Sequence, residues 1–222
     1  MSGLGGAGLD DRVRTLAAKF SGEERVLVVA AADRLAAFLS ILLEKNAEMN
    51  LVSARFADPE ILVETHLFDA LLGLALLPKP RENALCLLDL GSGGGFPAIP
   101  LLIVRPDLVG TLVESSRKKA AYLEEALVRL ALTARVLNAR FPDSFPMDGA
   151  QRYDVLTTRA VGSAGNLVRA ARSVLVPGAR ALLWTTRPLV TEAVGASRAK
   201  KHAFTPAPGA NLRGILSLEC FT

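Results

Sequence analysis

Residues 85–100 read LCLLDLGSGGGFPAIP, an apolar strand pattern that carries an acid, Asp89, near its end and runs through a glycine-dense turn into a helix start. A strand, turn and helix in this order bring backbone N–H groups to a nucleotide-like ligand. Gly91, Gly93, Gly94 and Gly95 let the chain turn tightly, take positive φ where needed and approach a ligand with no Cβ in the way.

Gly-x-Gly-x-Gly alone does not choose a ligand, because phosphate loops, nicotinamide-binding folds and methyltransferases share it. The next residues narrow the choice. In a dinucleotide fingerprint the third glycine packs the helix on the strand and leaves the helix N-terminus free for a pyrophosphate. Here Phe96-Pro97 stands at that point. Pro97 suits a first helical turn but removes one donor, and Phe96 narrows the entrance. No Gly-x-x-x-x-Gly-Lys-Ser/Thr occurs, which disfavours a nucleoside triphosphatase. The expected ligand is an adenosine without phosphates, and S-adenosylmethionine suits the pocket. Residues 110–114, GTLVE, form the next strand, and its last residue, Glu114, stands where a doubly wound sheet places the carboxylate that accepts from ribose hydroxyls. NAD sites use the same acid, so Glu114 marks nucleoside binding without naming the cofactor.

From 85 onward, strands expected at 85–90, 110–114, 134–138, 153–158, 179–186 and 213–221 alternate with amphipathic helices, one of them at 116–131. That alternation means α/β with a mainly parallel sheet. Residues 10–45 carry long helical patterns, with Leu35, Phe38, Leu39 and Leu42 at core-facing spacing. Asp58-Pro59-Glu60 is a helix start: an N-cap acid, proline at N1 and a carboxylate at the positive dipole end. Residues 1–8 are expected to lack fixed structure, 9–80 to form a helical extension packed on the core, and 81–222 to form the ligand-binding domain. Segment 197–211 reads as a polar, proline-bearing loop. Ligands of such sheets sit at the carboxyl ends of the strands, which gathers the glycine loop, Glu114, Arg140 and Arg159 in one crevice. His66 and Asp69 fall at i and i+3 on a helix.

The chain has 222 residues, half of them hydrophobic, enough for one large core. Two cysteines, Cys86 and Cys220, make neither a disulfide framework nor a metal-ligand set, and a reducing cytoplasm is expected. No apolar run reaches the roughly 20 residues that span a bilayer. Net charge is +4, but its distribution is uneven: residues 1–150 hold 16 Lys and Arg against 19 Asp and Glu, and residues 151–222 hold 10 against 3. A cationic C-terminal third, with Arg169, Arg172, Arg180, Arg187, Arg198, Lys200, Lys201 and Arg213, suits a phosphate-bearing partner.

Several spaced motifs together resemble the bacterial small-subunit ribosomal RNA guanine-N7 methyltransferases, also called the glucose-inhibited division protein B family. Asn46-Ala-Glu-Met-Asn-Leu-Val-Ser53 is similar to the family's Asn-x-x-Met-Asn-Leu-Thr, His66-Leu-Phe-Asp69 to its His-x-x-Asp-Ser, and residues 88–100 to its cofactor loop. Thr111-Leu-Val-Glu-Ser115, Lys118-Lys119 and Thr158-Arg-Ala160 resemble its ribose strand, paired lysines and Ser-Arg-Ala. The resemblance implies a Rossmann-like class I fold with a seven-stranded, mainly parallel sheet. It implies an S-adenosylmethionine site around Gly91, Gly93, Gly95, Phe96, Glu114, Phe141, Pro142 and Arg159, with Arg140 and Arg159 as positioning residues. It further implies RNA contacts at Asn50, His66, Arg117, Lys118, Lys119, Arg187, Lys200 and Lys201, with small-subunit ribosomal RNA or the small subunit as partner and a monomeric enzyme. The atom N7 follows from the resemblance alone.

The departures are Ala98 for a usual glycine, Ala70 for the serine after Asp69, Phe141-Pro142 for a small residue and glutamate, and Trp184-Thr-Thr-Arg187 for Lys-Gly. They keep two alternatives open: a methyltransferase of this architecture with a protein or small-molecule acceptor, and an RNA-binding assembly factor without turnover. An oxidoreductase ranks last. Methylation of N7 asks for in-line alignment and no base, because that nitrogen has a lone pair and no proton to lose. No acid, base or nucleophile is therefore assigned.

Overall fold

The computed structural model describes residues 6–54, 57–147, 149, 151–159, 163–199, 201–210 and 212–220. Its centre is β1 (Leu85–Leu90), apolar on both faces, flanked by β2 (Leu108–Glu114) and β4 (Tyr153–Arg159). β3 (Ala134–Asn138) extends one side, and β5 (Leu175–Thr186), β7 (Arg213–Cys220) and β6 (Lys201–Pro206) extend the other, in the order β3-β2-β1-β4-β5-β7-β6. The first five strands pair in parallel, and β7 runs antiparallel between β5 and β6. Strand residues alternate between two cores. Leu87, Val155, Leu182 and Ile215 enter one, while Leu88, Leu156, Leu183 and Leu216 enter the other. The period of two and helices on both faces explain why these segments read as continuous apolar runs.

Two strands depart from the sequence expectation. β6 lies inside the segment expected as a loop, and its residues KHAFTP are nearly all exposed. It is an edge strand held through β7, from Lys201↔Glu219 to Pro206↔Gly214, so it buries no face that would write alternation into its sequence. β5 starts at Leu175 rather than 179, because Pro177-Gly178 reads as a break whereas the strand continues past it with a register shift against β4.

The helices α1 (Gly6–Ala17), α2 (Gly22–Ala30) and α3 (Ala32–Met49) precede the sheet. α1 already includes Gly6–Gly8, contrary to the expectation of no fixed structure there, because Leu9 and Val13 anchor it in the core; residues 1–5 lie outside the described residues. α3 buries Leu35, Phe38, Leu39 and Leu42. Asp58 caps α4 (Pro59–Leu62), accepting from the N–H groups of Glu60 at 2.9 Å and Ile61 at 3.1 Å. The chain then continues as a π-helical turn, Val63–Leu67, into α5 (Phe68–Leu71) and a 3₁₀ turn, Leu72–Leu76. All seven residues of α6 (Ala98–Val104) are buried, since it lies between the sheet and the N-terminal helices, and these share one apolar cluster. α7 (Arg117–Arg129) turns Tyr122, Leu123, Ala126 and Leu127 inward. α8 (Ala164–Ala170) and α9 (Val190–Ser197) cover the opposite face, where Val168 and Ala193 enter the second core. Among the described residues no single helix is long and apolar enough to cross a membrane.

Candidate active site

Strand register aligns the carboxyl ends of the parallel strands. Leu90 pairs with Val113 and Thr158, Glu114 with Asn138, and Arg159 with Trp184, so the glycine loop, Glu114 and Arg159 lie along one edge. This edge includes the switch point, where β2 and β4 diverge from β1.

The loop itself works differently from the expectation of free N–H groups. Gly91 and Ser92 both donate to Val113 O at 2.9 and 3.1 Å, Gly93 donates to Glu114 Oε2 at 2.9 Å, and Gly95 to Ser92 O at 2.7 Å. Gly91, Gly93 and Gly95 hold φ of 76°, 54° and 91°. The loop therefore offers a closed surface without Cβ atoms rather than a phosphate nest, as a ligand without phosphates requires. Gly95 has a packing role as well: a Cβ there would stand 2.6 Å from Ile99 Cδ1. Gly95→Ala combines that clash with a left-handed backbone and should lower stability by about 1–3 kcal/mol, read in urea unfolding. An unchanged midpoint would mean that the loop relaxes without cost.

Glu114, buried, bonds through Oε2 to Gly93 and through Oε1 to Ser116 N at 2.7 Å. Each oxygen keeps a second acceptor position, so the carboxylate both closes the loop and remains able to take ribose hydroxyls. Phe96 does not narrow an entrance. It is buried with its ring centroid 5.1 Å from that of Phe38 and 5.4 Å from that of His66, and the Arg159 guanidinium lies 5.1 Å from its centroid. After β3, Arg140 and Ser144 close a turn, with Arg140 N donating to Ser144 Oγ at 2.9 Å and Ser144 N to Arg140 O at 2.9 Å. Within it the half-buried Phe141 meets Phe145 edge-on at 5.1 Å, and Pro142 and the Arg140 side chain are exposed.

Asp89 is the acid that sequence reading noted in the apolar strand without giving it a role. It is fully buried; Oδ1 accepts from Thr157 Oγ1 at 2.7 Å, and Oδ2 has no partner among the described residues. Burial raises its acid to about 6, opposed by the hydrogen bond from Thr157, by the nearby Ser92 hydroxyl, which donates to the Asp89 carbonyl at 3.3 Å, and by the charge of Arg159. An orphaned carboxylate oxygen beside a glycine loop fits a cationic ligand, and S-adenosylmethionine carries both a sulfonium and an ammonium. The signal available in the sequence was an acid inside an otherwise apolar strand.

Arg159, largely buried, hydrogen-bonds His66 Nδ1, and desolvation lowers its pKa to about 10 while Asp69 and Asp89 oppose that shift. Asp69 pairs with Arg213 at 3.2 Å, and its backbone oxygen accepts from Trp184 Nε1 at 2.7 Å. The expected shared helix face of His66 and Asp69 is interrupted by the π-helical turn, which carries His66, whereas Asp69 sits on α5. Both line a cleft of about 450 Å³ together with Thr158, Arg159, Trp184 and Arg213. The glycine loop does not line it; the cleft adjoins the cofactor edge through β4.

The expected RNA-binding residues are not all brought to one edge: Lys201 pairs with Glu219, which faces Arg180, so it lies toward the opposite end of the sheet from the glycine loop. Asn50, Arg117 and Lys118 are exposed and Lys119 half-buried. Asn50 follows α3 with φ of 26°, one residue before Leu51, whose carbonyl abuts Gly94. Arg187 lies over the Phe204 ring at 4.9 Å, and Lys201 is paired with Glu219 at 3.3 Å. Lys200 lies outside the described residues, as does Ala160. Of the departures, Ala98 and Ala70 are buried with no exposed surface, so neither presents a side chain to a ligand.

Comparison with known proteins agrees with this geometry. Residues 31–202 match the model of the family described as rRNA small subunit methyltransferase G. The ribosomal RNA small subunit methyltransferase G of Acidiphilium cryptum is 36% identical over 183 residues, 80% of this chain and 77% of that protein. That of Stenotrophomonas maltophilia is 40% identical over 153 residues, 68% of each. A methyltransferase structure from Pyrococcus furiosus aligns with a TM-score of 0.57 over 86% of this chain and 100% of its own, at 13% identity. An S-adenosylmethionine-dependent O-methyltransferase from Thermotoga maritima aligns with a TM-score of 0.54 over 82% and 72%, at 14% identity. At such identities the structures speak to the fold alone. The family model covers most of the chain, and the chain therefore belongs to the rRNA small subunit methyltransferase G family, with the class I fold of enzymes that draw a methyl group from S-adenosylmethionine.

Proposed function

We propose that this chain methylates N7 of a guanine in small-subunit ribosomal RNA, with the acceptor entering beside Arg159. Supporting this reading is the junction at the end of β4. There Thr157 holds the orphaned Asp89 on one side and Arg159 opens into the cleft on the other. S-adenosylmethionine supplies an electrophilic methyl: a bond from N7 to carbon forms as the bond from carbon to sulfur breaks, and the positive charge passes from sulfur to the guanine ring. No proton is lost, so the chain's residues position and exclude water. Asp89 and Glu114 would hold the cofactor's ammonium and ribose, Gly91 and Gly93 would underlie it, and Arg159 would take its carboxylate. Phe141 and Pro142 would border the adenine through backbone atoms and ring packing, with Arg140 at the outer edge.

Exposed cations carry the RNA part of the reading. Arg117, Lys118, Arg187 and Arg213 are exposed around the same edge, where they would meet phosphates, whereas Arg198 and Lys201 are exposed toward the other end of the sheet. Asn50, His66 and Lys119 belong to the same proposed surface. The protein would act as a monomer in the cytoplasm, where its ribosomal acceptor is assembled, with Cys86 and Cys220 as free thiols.

Labelled methyl transfer from S-adenosylmethionine to small subunits from cells lacking the protein, followed by mapping of the modified base, tests the proposal. Label on one guanine N7 is the expected result. Cofactor binding without label would point to another acceptor or to an inactive relative, and absence of cofactor binding would overturn the reading of the loop.

A further inference from the structure

The geometry points to Asp69 as the residue that selects guanine, by accepting hydrogen bonds from the N1–H and the N2 amino group of a base lodged in the cleft beside Arg159. This inference rests on the guanine reading above and deepens it. The cleft starts at Thr158 and Arg159, at the end of the strand that pairs with the cofactor strand, so a base within it reaches the edge where the methyl group is delivered. At about 450 Å³, with apolar wall from Leu72, Trp184 and Ile215, it matches sites that hold small ligands between apolar surfaces and a few polar groups. Enzymes acting on a base extrude it into such a pocket and read its Watson–Crick edge.

The polar group available for that edge is a carboxylate. An ionised carboxylate accepts only. Among the four RNA bases, guanine alone presents two adjacent donors on its Watson–Crick edge; adenine and cytosine present a donor beside an acceptor, and uracil one donor between two acceptors. A carboxylate therefore pairs with guanine and meets a lone pair on each of the others. N7 lies on the opposite side of O6 from N1 and N2, so a base held at N1 and N2 keeps N7 free for the methyl group. The same contact assists the reaction, because methylation makes the ring cationic and a fixed negative charge at N1–H stabilises the charge that develops.

The surroundings of Asp69 hold it in that role. Its side chain is 18% exposed, and Arg213 Nη1, 3.2 Å from Oδ2, takes one of about four acceptor positions. Burial raises its acid above the ordinary carboxylate value, and Arg213 and Arg159 offset part of that rise. Trp184 ties the wall to the recognition residue through its bond to Asp69 O. Arg213, more than half exposed, stands at the rim, where a cation meets a phosphate of the extruded nucleotide.

The test compares guanosine with inosine, which keeps N7, O6 and N1–H and lacks the N2 amino group. Small subunits are reconstituted on ligated ribosomal RNA carrying either base at the mapped position. With the unaltered protein, kcat/KM on inosine should fall by about tenfold to a hundredfold, the loss of one hydrogen bond to a charged group. Asp69→Asn should lose at least about a hundredfold on guanosine, treat the two bases alike within about twofold, and keep its affinity for S-adenosylmethionine in calorimetry. Equal rates on both bases with the unaltered protein, or full discrimination surviving in D69N, would overturn the role of Asp69 while leaving the guanine reading intact. Absence of transfer to any guanine would overturn that reading and this one with it. If D69N loses cofactor affinity, and so its fold, Asp69→Ser is measured in its place against the same criteria.

Discussion

Replacing Asp89 by asparagine stabilises the free protein at pH 7.5 and removes most of its affinity for S-adenosylmethionine. The carboxyl is fully buried, half-partnered, and raised by burial from its ordinary 3.8 to about 6. A raised acid makes the folded state hold its proton more tightly than the unfolded chain does. Its contribution to stability is therefore complete below pH 3.8, declines as pH rises toward 6, and is gone above that. The shift corresponds to about 3 kcal/mol. Asparagine resembles the neutral form and does not titrate, so the stability difference between D89N and the unaltered protein should grow from about zero near pH 4 to as much as about 3 kcal/mol above pH 6. Urea unfolding across that range reads it. Cofactor binding should show the opposite preference. A cationic ligand favours the ionised form, so affinity for S-adenosylmethionine should rise with pH through about 6 in the unaltered protein and be weak and flat in D89N. A pH-independent affinity in the unaltered protein would remove Asp89 from the cofactor site.

Glu114→Ala should cost both stability and binding. Its two oxygens take the N–H groups of Gly93 and Ser116, and truncation leaves both donors without their acceptor. Hydrogen bonds to a charged acceptor contribute about 1.5–3 kcal/mol each, and two neighbours that share one carboxylate do not add fully, so a loss of about 3 kcal/mol of stability is expected. Affinity for S-adenosylmethionine should fall by a further 1–3 kcal/mol, roughly, through the lost ribose acceptor. Glu114→Gln separates the two effects. The amide keeps one acceptor for the loop and loses the charge, so it should recover part of the stability while remaining weak in calorimetry. Full cofactor affinity in either variant would confine Glu114 to loop closure.

Much of the site was legible before any coordinates because its parts are local. Gly91, Gly93 and Gly95 announce positive φ, Asp58-Pro59-Glu60 announces a helix start, and residues 110–114 announce a strand that ends in a carboxylate beside the glycine loop. Each depends on residues within a few positions of one another. The central strands were equally plain, since a strand buried on both faces is apolar at most positions.

Chain order alone thus determined the α/β class, the parallel centre of the sheet, the glycine loop and the cationic C-terminal third. What tertiary structure decided is what depends on residues far apart in sequence. Edge strand β6 exists because β7 offers a free side, a condition absent from KHAFTP itself. The half-partnered state of Asp89 is set by Thr157, which takes only one of its oxygens, the contact of His66 by Arg159, and the hold on Asp69 by Trp184 and Arg213. These pairs are separated by 68 to 144 positions, and a charge reveals its energetic state only once its neighbours are known. Periodicity and turn chemistry report on the backbone nearby, whereas desolvation and pairing report on the folded surroundings, and the cleft beside Arg159 belongs to the second kind.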